Sequence, residues 1–367
     1  MMTAVLSLLL FPIEIQAERV GPYLVAPAVI NGSPVRLLLD SGAGMNVLTN
    51  ASAKRLGIEG GTPVQASGVG DATVTARIVS LTSLAFGNET GKPSSAVVVD
   101  LPAILESDGL IGHGVLSSAI TTIDYEKATL RFEPIAGWKA PAGFTAIPLR
   151  VRSNIPEVPM KIDGVETWCK VDSGASDALT LFSTFVESRG LRTKLKTKPS
   201  LGGMGVGGIS TGETAEMSGI ELAGHKLPSF TVTLSRQQKG AFADKDASGN
   251  LGADILRRFT VILDYKGEKA YFRKNAHFEQ PFATNRSGAA VLFDGKEHRV
   301  RMVSKDSAAF DAGVKIGDRI LAVDGKPVEQ MKAMDVWAAL RQPAGTKVRL
   351  TVQSGTDDRR DVELVLR

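Results

Sequence analysis

The chain has 367 residues, a net charge of +4, 38 glycines and a single cysteine. That length supports two to three domains, each able to bury its own core, and the glycine content favours turn-rich β structure over helical bundles. The charge is small and scattered, with no basic run interleaved with aromatics, which argues against nucleic-acid binding; one cysteine excludes an internal disulfide framework.

Residues 1–17 open with the apolar run Val5-Leu6-Ser7-Leu8-Leu9-Leu10-Phe11 and then Ala17. This reads as the core of a secretory signal cleaved near Gln16-Ala17-Glu18, against the plainer alternative of an apolar first strand. At about ten residues the run is too short to span a bilayer. The expectation is an exported protein, periplasmic or secreted, without a stable membrane span.

From residue 18 to 137, short β-like runs alternate with turns. Tyr23 to Ile30 precedes Asn31-Gly32, a strong hairpin signal. Val35-Arg36-Leu37-Leu38-Leu39 then runs into Asp40-Ser41-Gly42 and Ala43, and Asn50 to Gly57 reads as a short helix closed by glycine. A glycine-rich segment, Gly68-Val69-Gly70-Asp71, follows, and after it Gly109-Leu110-Ile111-Gly112 and Thr122-Ile123-Asp124-Tyr125. Trp138 to Pro148 has the composition of a connector.

Residues 138–283 repeat this programme. Thr167-Trp168-Cys169-Lys170-Val171 runs into Asp172-Ser173-Gly174 and Ala175, a short helix is expected at Phe182 to Gly190, and the glycine-rich segment is Gly202 to Gly208. Gly249-Asn250-Leu251-Gly252 and Val261-Ile262-Leu263-Asp264-Tyr265 complete the series. By residue frequencies one Asp-Ser-Gly occurs in roughly one chain of this length in ten and means a surface turn. Two copies with matched flanks are a different matter. The aspartates are 132 residues apart, while the later glycines and Asp-Tyr pairs are both offset by 140, as a duplicated unit with one eight-residue insertion would be.

Other chemistries fare poorly. Gly203, Gly205 and Gly208 formally spell a dinucleotide fingerprint, but Ile209 to Thr214 is β-like where a helix would be needed. The histidines 113, 225, 277 and 298 lack zinc spacing, and no nucleophile elbow or Walker pattern occurs. Cys169 is read as a strand residue without a nucleophilic partner. No metal or cofactor is expected.

On these paired motifs the chain resembles the pepsin and retropepsin superfamily of aspartic proteases, with both halves of the site in one polypeptide. The resemblance implies a mainly β, bilobal fold of double-ψ β-barrel lobes and an aspartic endopeptidase acting on polypeptides. Asp40 and Asp172 would be the catalytic dyad, and Ser41, Gly42, Ser173 and Gly174 its supports. Gly68, Val69 and Gly70 with Gly205, Val206 and Gly207 would be substrate-covering flaps. Ala43 and Ala175 stand where pepsin-like enzymes carry a hydroxyl that favours the ionised carboxylate, so a mildly acidic to near-neutral working range is expected. The competing reading is a noncatalytic peptide- or protein-binding protein that retained the fold. Duplication within one chain removes the need for a homodimer without forbidding one.

Beyond a polar boundary near Pro281 to Gly288, residues 284–367 include Ser307 to Val328, a string that resembles the middle of bacterial PDZ domains. That resemblance implies a β-sandwich with two helices and a groove for an extended peptide. The expected groove strand contains Val300, Arg301 and Met302, with a helix near Met331 to Arg341. The loop Phe293 to His298 departs from the usual Gly-hydrophobic-Gly-hydrophobic form of the carboxylate loop.

Overall fold

A computed structural model describes residues 11–367. The apolar run proposed as a signal lies, apart from Phe11, outside the described residues. The described residues are mainly β and form four sheets.

Two of the sheets are built alike. In the first half the strands Tyr23–Ile30, Ser33–Leu39, Gly109–Ile111, Asn46–Leu48, Lys92–Val98, Val74–Ala85 and Thr62–Ala66 lie side by side in that order. In the second, Ile155–Ile162, Val165–Val171, Gly249–Leu251, Leu179–Leu181, Phe230–Ser235, Gly208–Met217 and Lys198–Gly205 follow the same order. The hairpins that start each half turn on Asn31-Gly32 and Asp163-Gly164, all four residues at positive φ. Asn, Asp and Gly tolerate that conformation best.

Each half also contains two parallel pairs, unusual between short strands because parallel neighbours need a crossover. Ser33–Leu39 runs parallel to Gly109–Ile111, and Asn46–Leu48 parallel to Lys92–Val98. Val165–Val171 with Gly249–Leu251, and Leu179–Leu181 with Phe230–Ser235, repeat the arrangement. The short, buried Gly-Leu-Ile and Gly-Asn-Leu strands are therefore the pieces that interlock each lobe. Gly109 has no room for a side chain, since a Cβ there would lie 1.9 Å from the Val47 carbonyl oxygen.

The third sheet joins the lobes. Its order is Ile13–Gln16, Thr129–Glu133, Ile120–Asp124, Phe259–Asp264, Lys269–Lys274 and Thr145–Pro148, three strands from each half. At its centre Thr122 pairs with Ile262, its match across the duplication, with Thr121 opposite Leu263 and Ile123 opposite Val261 in an antiparallel ladder. One continuous apolar core runs beneath both lobes, from Ile15, Leu37 and Leu130 to Val171, Phe259 and Phe272.

This sheet also bears on the N-terminal boundary. Ile13–Gln16 is an edge strand paired to Thr129–Glu133, Ile15 and Ala17 are buried, and the Ala17 amide bonds the Ala128 carbonyl at 2.8 Å. Thr145–Pro148, inside the expected connector, holds the equivalent edge. A cut near Ala17 would strip an integral strand.

The fourth sheet, Ala289–Phe293, His298–Val303, Arg319–Val323, Lys347–Ser354 and Asp358–Val365, has its own core around Val300, Ile320, Val336, Val352 and Leu364. The groove strand expected at Val300, Arg301 and Met302 is not the open edge. Ala289–Phe293 folds back on it as a hairpin, while Val300 is tied on its other side to Gly317 and Asp318. The edge strands are Ala289–Phe293 and, at the far side of the sheet, Asp358–Val365. The expected helix is Ala333–Ala339, and it packs on the first lobe: Met334 is buried with Tyr23, Val25, Val47 and Leu110, Lys332 pairs with Glu18 at 2.6 Å, and the Ala333 amide bonds Glu106 Oε1 at 2.9 Å.

Candidate active site

Each aspartate follows a strand whose last residue, Leu39 or Val171, is fully buried, and is held by the strand that interlocks its lobe. Asp40 N–H donates to the Ile111 carbonyl at 3.0 Å, and Asp172 N–H to that of Leu251 at 2.9 Å. The following tight turn lets Gly42 N–H donate to Asp40 Oδ1 and Gly174 N–H to Asp172 Oδ1, both at 2.9 Å. The two carboxyl groups come within hydrogen-bonding reach of each other at the floor of the cleft. The glycines make this possible. A Cβ on Gly42 would fall 2.5 Å from Asp172 Cγ, and one on Gly174 would fall 2.4 Å from Asp40 Cγ.

The serines lock the halves together by a reciprocal set of buried bonds. Ser41 Oγ donates to the Val171 carbonyl at 2.7 Å and accepts from Ser173 N–H at 3.0 Å. Ser173 Oγ donates to the Leu39 carbonyl at 2.9 Å and accepts from Ser41 N–H at 3.0 Å. Both serines are fully paired and nearly inaccessible. They hold the aspartates without touching them.

The dyad is electrostatically unequal. Burial raises Asp40 well above the usual carboxylate range, and the neighbouring Asp172 charge raises it further. Asp172 is also raised by burial, but Asn250 Nδ2 donates to its Oδ2 at 2.7 Å and pulls it back. At the position matching Asn250, the first lobe has Leu110, which is buried and apolar. Like charges this close cannot both ionise. The single proton therefore favours Asp40, while the pair titrates as one coupled unit.

Nearby, Asp177 bonds Thr180 Oγ1 and is pushed up to about 6, chiefly by burial. Cys169 is wholly buried in the core and its thiol is pushed up by burial, which makes it inert. Among the described residues no cluster of three or more His, Cys, Asp or Glu is placed to hold a metal. Gly203, Gly205 and Gly208 lie in the hairpin of Lys198–Gly205 and Gly208–Met217, with no helix to receive a pyrophosphate.

The two hairpins that carry Gly68-Val69-Gly70 and Gly205-Val206-Gly207 meet at their tips, and Val69 and Val206 line the same cavity as Asp40 and Asp172. Gly70 N–H donates to the Val206 carbonyl at 3.0 Å and Ala72 N–H to that of Gly207 at 3.2 Å. The approach is close enough that a Cβ on Gly70 would sit 1.9 Å from the Gly207 oxygen. Gln237, almost fully buried, reaches from the second lobe to the first flap: its Nε2 donates to the Val69 carbonyl at 2.6 Å and to Asp71 Oδ1 at 2.9 Å.

The structure thus brings together Asp40, Asp172, Ser41, Gly42, Ser173, Gly174 and both flap triplets. Met302 lines the same cavity, Val300 is buried in the fourth sheet's core and Arg301 is exposed. Asn250 and Gln237 went unassigned in the sequence. The only signal for Asn250 was a mismatch, a polar residue where the first copy of the motif has Leu110.

Residues 26–115, which contain Asp40 and its interlocking strand, match the aspartyl protease family, and residues 299–354 match the PDZ domain family. The chain therefore carries an aspartyl protease domain followed by a PDZ domain. Among solved structures it is similar to the basic 7S globulin from soybean at 10% identity and a TM-score of 0.39, over 75% of this chain and 98% of that one. No curated protein matches it in sequence.

Proposed function

We propose that this protein is an aspartic endopeptidase that hydrolyses peptide bonds with a water held between Asp40 and Asp172. The observation that carries the reading is the pair of carboxyl groups from opposite lobes, within hydrogen-bonding reach, with a glycine beneath each that leaves space for the other. A fold kept only for binding has no use for two apposed buried carboxyls, which cost stability.

Asp172, favoured as the anion by Asn250 and Gly174, takes a proton as the water oxygen attacks the carbonyl carbon. Asp40 gives its proton to the carbonyl oxygen, and a tetrahedral diol forms. When the C–N bond breaks, the proton on Asp172 passes to the leaving nitrogen. A diol hydroxyl returns its proton to Asp40, and the dyad is restored. The closed flaps exclude bulk water and bring backbone groups to an extended chain.

Because both carboxyls are raised by burial, the singly protonated form lies above the strongly acidic range. With no hydroxyl at Ala43 or Ala175 to lower them, the working range is mildly acidic to near neutral. The PDZ domain recruits polypeptide substrates, using the free edge of Ala289–Phe293. Export remains part of the proposal, with any leader removed upstream of Ile13 so that the edge strand is kept.

The test is cleavage of a denatured protein by purified wild type and by Asp40→Asn and Asp172→Asn. Loss of at least about 1,000-fold in both variants supports the reading. An intact substrate with fully processed wild type would leave a noncatalytic peptide-binding protein.

A further inference from the structure

The cleft has one wall that belongs to neither lobe. The dyad, the flaps and the PDZ domain border a single cavity of ≈ 1380 Å³. Met334 anchors the helix Ala333–Ala339 to the first lobe by packing beside Leu110 and Val47, and Gly21 is pressed so close that a Cβ there would lie 2.5 Å from Met334 Cε. One turn on, Trp337 packs partly buried against the same cluster and lines the cavity. Just past the helix end comes Arg341, also on the cavity wall.

Arg341 is held in place but not neutralised. Its guanidinium lies 3.7 Å over the Trp337 ring, and Nη1 donates to the Trp337 carbonyl at 3.2 Å. Among the described residues no carboxylate forms an ion pair with it, in contrast to the 21 pairs found elsewhere, many of them on the surface. The acids that act on it from a distance are already engaged: Asp254 by Arg257 at 2.6 Å, and Asp177 by Thr180. Tyr23 also faces it, as a neutral phenol whose pKa burial raises. Burial lowers Arg341 to about 9, so it still carries its charge at neutral pH. A guanidinium has five donors in a planar fork. Among the described residues one of them is used, by the Trp337 carbonyl.

We propose that Arg341, braced on Trp337, is a carboxylate-binding subsite of the substrate cleft supplied by the PDZ domain, so that peptides with an acidic group at one fixed distance from the scissile bond are preferred. This deepens the endopeptidase reading and rests on it for the meaning of the subsite. The PDZ domain is then a part of the substrate site as well as a tether. A carboxylate on a side chain and one at a chain terminus offer the same chemistry, and the experiment separates them.

The test is binding of fluorescent peptides to the full chain carrying Asp40→Asn, which removes hydrolysis from the readout. Glu or Gln is placed at each successive position of an otherwise apolar frame with an amidated end. A further pair lacks Glu and differs only in a free or amidated C-terminus. One Glu position, or the free terminus, is expected to bind about 10-fold tighter than its neutral match, as a charge-assisted bidentate bond would give. Adding Arg341→Gln should abolish that ratio; Arg341→Lys should keep part of it. If no position or terminus shows a preference, or if the preference survives Arg341→Gln, the subsite is refuted. Cleavage by wild type is measured separately: its failure overturns the endopeptidase reading, whereas absence of the acidic preference overturns this one alone.

Discussion

The two lobes share a strand order, a pair of parallel interlocks and the same Asp-Ser-Gly turn, yet at matched positions one has Leu110 and the other Asn250. Symmetry is kept where two backbones must meet closely, at the serines that bond reciprocally and at the glycines beneath the opposite carboxyl. It is broken where a proton must be placed. The comparison teaches that a duplicated site can use one scaffold twice and still assign two roles, because a single amide beside one carboxyl is enough to bias a coupled pair.

The largest effect is expected from breaking the shared part. Gly174→Ala or Gly42→Ala drives a methyl into the opposing carboxyl and should lower kcat/KM at least about 100-fold, as misplacement of reacting groups by an ångström does. Steady-state kinetics on a peptide substrate checks this; near-normal rates in both variants would mean that the dyad is looser than described.

Making the lobes alike at their point of difference comes next. Asn250→Leu removes a hydrogen bond to the ionised carboxyl, worth about 1.5–3 kcal/mol, and should cost roughly 10- to 100-fold in kcat/KM. The acidic limb of the pH profile should move upward in the same variant, because Asp172 loses the donor that holds its pKa down. Leu110→Asn should shift the profile the other way. A pH profile unmoved by Asn250→Leu would remove the amide from the account.

Ser41→Ala tests the lock between halves. It deletes a donor to Val171 and orphans the buried Ser173 amide, for a loss of about 2–4 kcal/mol in chemical denaturation. Adding Ser173→Ala should cost less than a second equal increment, since the two serines form one network.

Stability against pH gives a smaller effect with a definite sign. Both dyad carboxyls are raised in the folded state, so the stability they contribute is complete below the ordinary carboxylate range and is lost as pH rises through the folded values. Asp40→Asn should therefore unfold at a higher temperature than wild type at neutral pH, with the gap closing toward acid. The smallest change is expected from Gln237→Leu, which frees the first flap from the second lobe. It should raise KM several-fold with less change in kcat, as loosened closure would.

The chain's own residues made the duplication legible, because each copy repeats its local chemistry: an apolar run, a carboxylate, two small residues, then a Gly-rich hairpin and a short Gly-bounded strand. On these repeats rests the resemblance that implied the bilobal β fold, the Asp40–Asp172 pair, its serine and glycine supports and the flap triplets, while Ser307 to Val328 carried the resemblance to PDZ domains. What sequence could not disclose are partnerships between residues far apart in the chain. Asn250 meets Asp172 across 78 positions and Gln237 meets Val69 across 168. The open PDZ edge at Ala289–Phe293 and the packing of Met334, Trp337 and Arg341 onto the cleft were likewise decided only by tertiary structure. The physical reason is one of range. Period, turn chemistry and steric need are set by neighbours in the chain, whereas the bias of a proton and the wall of a cleft depend on which distant side chain the packing brings within a few ångströms.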